Sequence, residues 1–342
     1  MTYRTEFPLI PRAEDAPAGS KLRNLLRGQT DAGGFSSDVG WGCMVRSAQT
    51  LLANALAATG AAGSERALVQ WFADDPRAPF SVHRFVHHGH VACGKYPGEW
   101  FGPSAAARCI QILAADFAPA GLAVHVASDA GDLYRADVLR LAAPAGADGP
   151  WRPTLLLFGV RLGIDAVNSV YVPALQMCLA LPQSIGIAGG RPSASHYFFA
   201  YQGHSLFYLD PHIQRKALPY HTDPAAYTAD ELASVHTRRV RKIEIAEMDP
   251  SMLVGFLIRD AADWRAFNDA RAAFEGMHFI HISDSEPAFA RKDGLADDYI
   301  DVIHADTMES DEDIVGSALG EPAADDADLG VISASEDESW QT

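Results

Sequence analysis

Hydrophobic positions recur along this chain with two periods, and their alternation sets out an ordered series of elements. Val45, Ala48, Leu51, Leu52, Ala55 and Leu56 repeat every three to four residues, which predicts an amphipathic helix opening at Cys43. The same spacing predicts helices over 64–73, 104–117, 132–142, 166–181 and 260–274. Short β-like runs lie between them at 122–126, 154–160, 196–201, 205–209, 241–245 and 253–258. Gln202, Gly203 and His204 separate two of these runs and predict a hairpin. Helices segregated from largely antiparallel strands predict an α+β fold.

Two stretches break the pattern. Residues 11–34 are rich in Pro, Gly, Ala and charge and predict a flexible surface excursion, with one helical turn at 22–27. From residue 284 the apolar periodicity ends, and 284–342 carry 18 acids against Arg291 and Lys292, net −16 of the chain's −17. Such a segment cannot bury enough surface to offset its ordering entropy, so a folded domain over 1–283 and an acidic disordered tail over 284–342 are expected. The acidic balance and the lack of Lys/Arg clusters argue against nucleic acid and against steady binding to an anionic membrane. The four cysteines, Cys43, Cys93, Cys109 and Cys178, lack the tight spacing of a disulfide scaffold and predict free thiols in a soluble, reduced, cytoplasmic protein. The first residues show no signal-peptide pattern, and no apolar run approaches the roughly 20 residues of a membrane helix.

Two segments carry candidate chemistry. In SSDVGWGCMVRSAQTLL, 36–52, a loop with Gly40 and Gly42 delivers Cys43 to a helix start, where unpaired N–H groups and the positive helix end favour a thiolate. This predicts an exposed, reactive thiol, with Trp41 as a wall for substrate; a small apolar residue at a helix start is the other reading of Cys43. In ASHYFFAYQGHSLFYLDPHIQ, 194–214, a strand ends in Asp-Pro-His. Residues two apart on extended chain face one way, so Asp210 can orient the His212 imidazole towards a cysteine. A surface turn closed by Asp-Pro fits these residues equally.

Dispersed segments resemble one family, the autophagins, papain-like peptidases acting on ubiquitin-like autophagy modifiers. They include TYRTEFPLI at 2–10, SSDVGWGCMVRSAQ at 36–49, GEWFGPSAAA at 98–107, LAVHVASD at 122–129 and PWRPTLLLFGVRLGID at 150–165. LPQSIGIAGGRPSASHYFFAY at 181–201, LFYLDPH at 206–212 and MDPSMLVGF at 248–256 complete them. The resemblance implies a papain-like fold with the nucleophile on a central helix facing a twisted sheet. It implies Cys43 as nucleophile, His212 as base and later acid, Asp210 as orienting group, and Tyr3 with the Cys43 N–H as oxyanion donors. Trp100 and Pro192 fall on the family's aromatic wall and covering loop. The implied reaction is hydrolysis after the modifier's terminal glycine, from the precursor and from phosphatidylethanolamine, with no cofactor or metal. Membrane would be met only transiently, through lipidated substrate. Residues 11–34 lengthen the usual connection between Tyr3 and Cys43, and the family usually precedes the opening segment with further sequence.

A papain-like acyl transferase and a catalytically silent modifier-binding adaptor are the competing readings; the intact triad disfavours the second. His83, His87, His88, His90 and Cys93 resemble a zinc set, but no second Cys or His pair completes four ligands, and a solvated histidine-rich loop is the stronger expectation. Cys109 and Cys178 lie on apolar helix faces and are expected to be packing residues. The glycines at 186, 189 and 190 do not make a dinucleotide-binding motif. In the tail, Tyr299 and Val302 stand three apart behind Asp297 and Asp298, resembling a short motif that adds a strand to autophagy modifiers.

Overall fold

A computed structural model of the chain describes residues 1–16, 33–128, 130–146, 149–273 and 279–286. The acidic stretch beyond 286, with Tyr299 and Val302, and residues 17–32 of the predicted excursion lie outside these. Strand β1 (Arg4–Pro11) pairs antiparallel with β2 (Gly34–Ser37), Thr5 facing Ser37 and Pro11 facing Gly34, so both ends of that excursion are strand. Helices α1 (Cys43–Thr59), α2 (Glu65–Trp71), α3 (Val82–Cys93) and α4 (Pro103–Asp116) follow. Next come β3 (Ala123–Val126), β4 (Asp132–Tyr134), α5 (Arg135–Ala142), β5 (Thr154–Arg161) and α6 (Val172–Ala180). Strands β6 (Ser184–Arg191), β7 (Ala194–Gln202), β8 (Ser205–Leu209) and the two-residue β9 (Arg215–Lys216) lead to α7 (Ala229–Ala233). Strand β10 (Arg241–Glu244), β11 (Ser251–Ile258), α8 (Ala261–Ala273) and β12 (His281–Ser283) complete the described body.

Seven strands form one sheet in the order β10-β8-β7-β6-β11-β5-β3, antiparallel except where β3 runs parallel to β5. Helix α1 packs across β6 and β7, and every residue from Cys43 to Leu52 is buried. One core, on this side of the sheet, joins α1, α3 and α4 through residues such as Leu52, Phe85 and Ile110. The other joins α6 and α8 to the opposite face through Leu175, Phe256 and Phe267. Covering both faces explains why β5 and β11 read as nearly continuous apolar runs.

Some elements differ from the expectation. The histidine-rich stretch is helix, not loop: Ser81 caps α3 by accepting from the Arg84 N–H, and Val82, Phe85, Val86 and Gly89 make its buried stripe. Histidines on the other positions mask that period. Residues 132–134 are strand rather than helix, held by parallel pairing with β12. Strand β6 carries Gly186, Gly189 and Gly190 and too few β-branched residues to read as strand, yet it lies at the centre of the sheet. The expected hairpin turn is tighter, because Gln202 pairs with Ser205 and only Gly203 and His204 turn. Among the described residues no helix is long and apolar enough to cross a membrane.

Candidate active site

The loop before α1 is built around one aspartate. Asp38 accepts the Arg4 N–H at 2.6 Å through its side chain, and its carbonyl accepts the N–H groups of Trp41 at 3.2 Å and Gly42 at 2.8 Å. Gly40 turns the loop with φ 83°, and a Cβ on Gly42 would lie 2.6 Å from the Asp38 Cβ. The tight turn delivers Cys43 to the first position of α1, where its N–H has no intrahelical acceptor.

His212 and Tyr3 converge on the sulfur, with Asp210 behind the imidazole. His212 lies beside the Cys43 thiol, each shifting the other's titration, and its Nδ1 lies 2.7 Å from Asp210 Oδ1. The same carboxylate oxygen accepts the His212 backbone N–H at 3.0 Å, fixing the Asp-Pro-His turn and ring together. Tyr3 arrives from the other end of the chain. Its N–H donates to the Pro211 carbonyl at 2.7 Å and its carbonyl accepts the Arg215 N–H at 3.0 Å, where β1 runs parallel to β9. Its ring stands edge-on to His212 at 5.2 Å, and its hydroxyl neighbours the sulfur closely enough for Cys43 to raise its titration.

The electrostatics favour a thiolate–imidazolium pair. Burial alone would raise the Cys43 thiol. Hydrogen bonds with His212, the Ser195 backbone and Trp100, with the imidazolium charge, overcome it and hold the thiol below its usual value. Burial likewise opposes charging of His212, but its bonds to Asp210 and Cys43 and their charges raise it to about 9. The bond to His212 in turn holds Asp210 below the carboxylate range. Burial, then the neighbouring sulfur, pushes Tyr3 upward, so its hydroxyl keeps its proton and can donate.

A lid lies over this centre. The Trp100 indole N–H donates to the Cys43 sulfur at 3.4 Å, and the Ser193 carbonyl lies 3.9 Å from it. Pro192 and Ser193 turn the β6–β7 hairpin, with Ser193 at φ 60°, a conformation costing a non-glycine residue about 1–2 kcal/mol. The consequence corrects the expected exposure: Cys43 is 1% exposed. Trp41 is also corrected. It is 0% exposed, edge-on to Phe35 at 5.8 Å, and its indole N–H is committed to the Ser37 carbonyl at 3.0 Å, so it supports the loop and offers substrate nothing.

Sequence reasoning missed the charges beneath the site. Arg46, one turn along α1, donates to Asp38, to Asp74 Oδ1 at 2.7 Å and to Gln49 at 3.1 Å. Asp74 also faces Arg4 Nε at 3.6 Å and accepts the Leu218 N–H at 2.8 Å. Arg4, Asp38, Arg46 and Asp74 are all at most 2% exposed. They tie the strand bearing Tyr3, the loop bearing Cys43 and the segment after His212 into one unit. The signal was two charges, Asp38 and Arg46, embedded in an otherwise small and apolar motif. His196 was also missed. It is buried with Nε2 3.9 Å from Asp210 Oδ1, and burial first, then His212, lowers it to about 4, so it stays neutral.

His196, Asp210 and His212 are the metal-ligand cluster found among the described residues, and the last two are already bonded to each other. The α3 histidines disperse: His83 bonds the Pro8 carbonyl at 2.6 Å, His88 faces Asp116 at 3.7 Å and His90 faces Asp15 at 3.8 Å. Cys109 and Cys178 are 0% exposed. A cavity of about 540 Å³ lies between α1, α2 and 235–237, lined by Asp210 but not by Cys43.

The sequence matches the Peptidase C54 catalytic domain over residues 1–270. It is 51% identical over 335 residues to "Cysteine protease 1" of Neurospora crassa, covering 94% of this chain and 64% of that protein. "Probable cysteine protease atg4" of Botryotinia fuckeliana is 48% identical over 325 residues, with 92% of this chain and 73% of that protein covered. "Probable cysteine protease ATG4" of Cryphonectria parasitica is 50% identical over 307 residues, covering 84% and 66%. The chain thus spans about two thirds of the length of these relatives. A papain-like α+β body with a cysteine on its central helix and a match over most of its length place the chain in the peptidase C54 family of cysteine peptidases, the autophagins.

Proposed function

We propose that the chain is an autophagy endopeptidase that cuts after the C-terminal glycine of a ubiquitin-like modifier, acting in the cytoplasm on both the precursor and the phosphatidylethanolamine conjugate. The observation that carries this reading is the Cys43–His212–Asp210 relay beneath a lid that contacts the sulfur. In the proposed mechanism the thiolate attacks the glycine carbonyl carbon, and the oxyanion is met by the Tyr3 hydroxyl and the Cys43 N–H. The His212 imidazolium protonates the departing nitrogen, leaving a thioester. His212 then takes a proton from water, hydroxide displaces sulfur, and the glycine carboxylate leaves. Asp210 holds the imidazole throughout. Trp100 and the Pro192–Ser193 turn must part for the substrate, and the slot between them suits a residue without Cβ. The four free cysteines fit a cytoplasmic setting.

A ubiquitin-like modifier carrying an electrophile in place of its last glycine carboxylate tests the reading. It is expected to form one covalent adduct, at Cys43, and an adduct elsewhere or none overturns it. A tail site at Tyr299 and Val302 would raise the local concentration of modifier without touching chemistry. Tyr299→Ala with Val302→Ala is therefore expected to raise KM several-fold at unchanged kcat, and calorimetric binding equal to the intact protein removes the motif.

A further inference from the structure

The described body is almost neutral, since the tail holds nearly all the net charge, yet five consecutive residues depart from that balance. Arg238, Arg239, Val240, Arg241 and Lys242 are all exposed, with four cations and no acid among them. Val240 stands 48% exposed between the arginines. The run enters β10, the edge strand of the seven-stranded sheet, so among the described residues no further strand covers it. Among the described residues, Arg238, Arg239 and Lys242 have no ion-pair partner, and Arg241 has one: its Nη1 lies 3.6 Å from Asp210 Oδ2. The basic run therefore abuts the back of the Cys43–His212–Asp210 relay. It also corrects the expectation that the chain lacks a Lys/Arg cluster.

We propose that residues 238–242 form a docking strip for the anionic headgroups of a phospholipid membrane. The proposal rests on the reading that this site releases a modifier from phosphatidylethanolamine. In that substrate the scissile nitrogen is the ethanolamine nitrogen, and the lipid phosphate follows four bonds away, about 5 Å. The relay must therefore approach the headgroup plane, and cations beside Asp210 come within about one Debye length, ~10 Å, of the phosphates. An exposed valine among arginines suits an interface that is charged outside and apolar beneath. A soluble precursor brings no such surface, so the strip distinguishes the two substrates of one active site.

The test uses the full chain carrying Arg238→Glu, Arg239→Glu and Lys242→Glu together, three residues outside the relay. With soluble precursor the variant is expected to match the parent protein. With conjugate on vesicles holding about 30% phosphatidylserine, release is expected to slow at least ~10-fold, and co-sedimentation with the same vesicles to weaken in parallel. Both differences are expected to disappear on vesicles without anionic lipid and at about 0.5 M salt. Equal release on anionic vesicles overturns the proposal, as does equal slowing on neutral ones. Slowing on soluble precursor assigns the strip to an acidic face of the modifier instead. A parent protein that cuts no glycine-ended precursor rejects the underlying reading, while co-sedimentation still decides the strip.

Discussion

Cys43→Ala is expected to reduce cleavage to background, a loss of roughly 10⁴-fold or more, while the fold changes by no more than about 1–2 kcal/mol. The sulfur is one atom at a helix start, and its removal leaves Asp38, Gly42 and the Asp210–His212 bond in place. The imidazole loses both the hydrogen bond and the charge of Cys43, which help raise it to about 9. His212 should therefore titrate lower in the variant, visible in its ring-proton shifts. In the parent protein the reactive pair needs thiolate and imidazolium together. kcat/KM should accordingly rise with pH through the lowered Cys43 value and fall as His212 deprotonates near 9. Tyr3→Phe keeps the ring against His212 and deletes only the donor, so kcat should fall ~10- to 1000-fold at nearly constant KM. Cleavage by the alanine variant, or unchanged kcat in the phenylalanine variant, reassigns these residues.

Arg46→Met is expected to destabilise the body by about 3–5 kcal/mol, because it leaves the buried Asp38 carboxylate without an ion-pair partner and Asp74 with Arg4 alone, beneath the site. Its dependence on pH should carry a distinctive sign. Burial already raises Asp38, and the Arg46 charge is the main effect opposing that rise. Without Arg46 the folded state binds a proton at Asp38 that the unfolded chain releases near its ordinary value. Stability then falls as pH rises through the raised range and is fully recovered only below the unfolded value. Denaturant titrations across pH 4 to 8 should show a growing deficit against the parent. A deficit that is flat or shrinks with pH, or a total loss below 1 kcal/mol, means that Arg46 fills space rather than balancing charge.

What the sequence revealed and what it hid divide along physical lines. The helix at Cys43 and the hairpin ending in Asp-Pro-His are local, and period plus a proline constraint suffice to place them. Tyr3 reaches the sulfur through parallel pairing with a two-residue strand more than 200 positions away, and no local pattern encodes such a contact. Only the family resemblance pointed to it. Strand β6 was hidden by glycine, and α3 by histidines on its polar positions. Trp41 shows the opposite error, since an indole beside a cysteine reads as a substrate wall until its N–H is found committed to Ser37. The Arg46 network was unreadable for a related reason: paired charges in a core look like surface charges in sequence.

The lid separates two quantities that are usually measured as one. A reagent's rate at Cys43 is the intrinsic rate of the thiolate multiplied by the fraction of molecules with Trp100 and Ser193 displaced. Cys93 has no such factor. It is partly exposed at the end of α3, and the neighbouring Cys109 thiol, acting first, holds it below its usual value. A small electrophile applied to the resting protein should thus count Cys93 before Cys43, so bulk thiol reactivity would rank the wrong cysteine as the chemically important one.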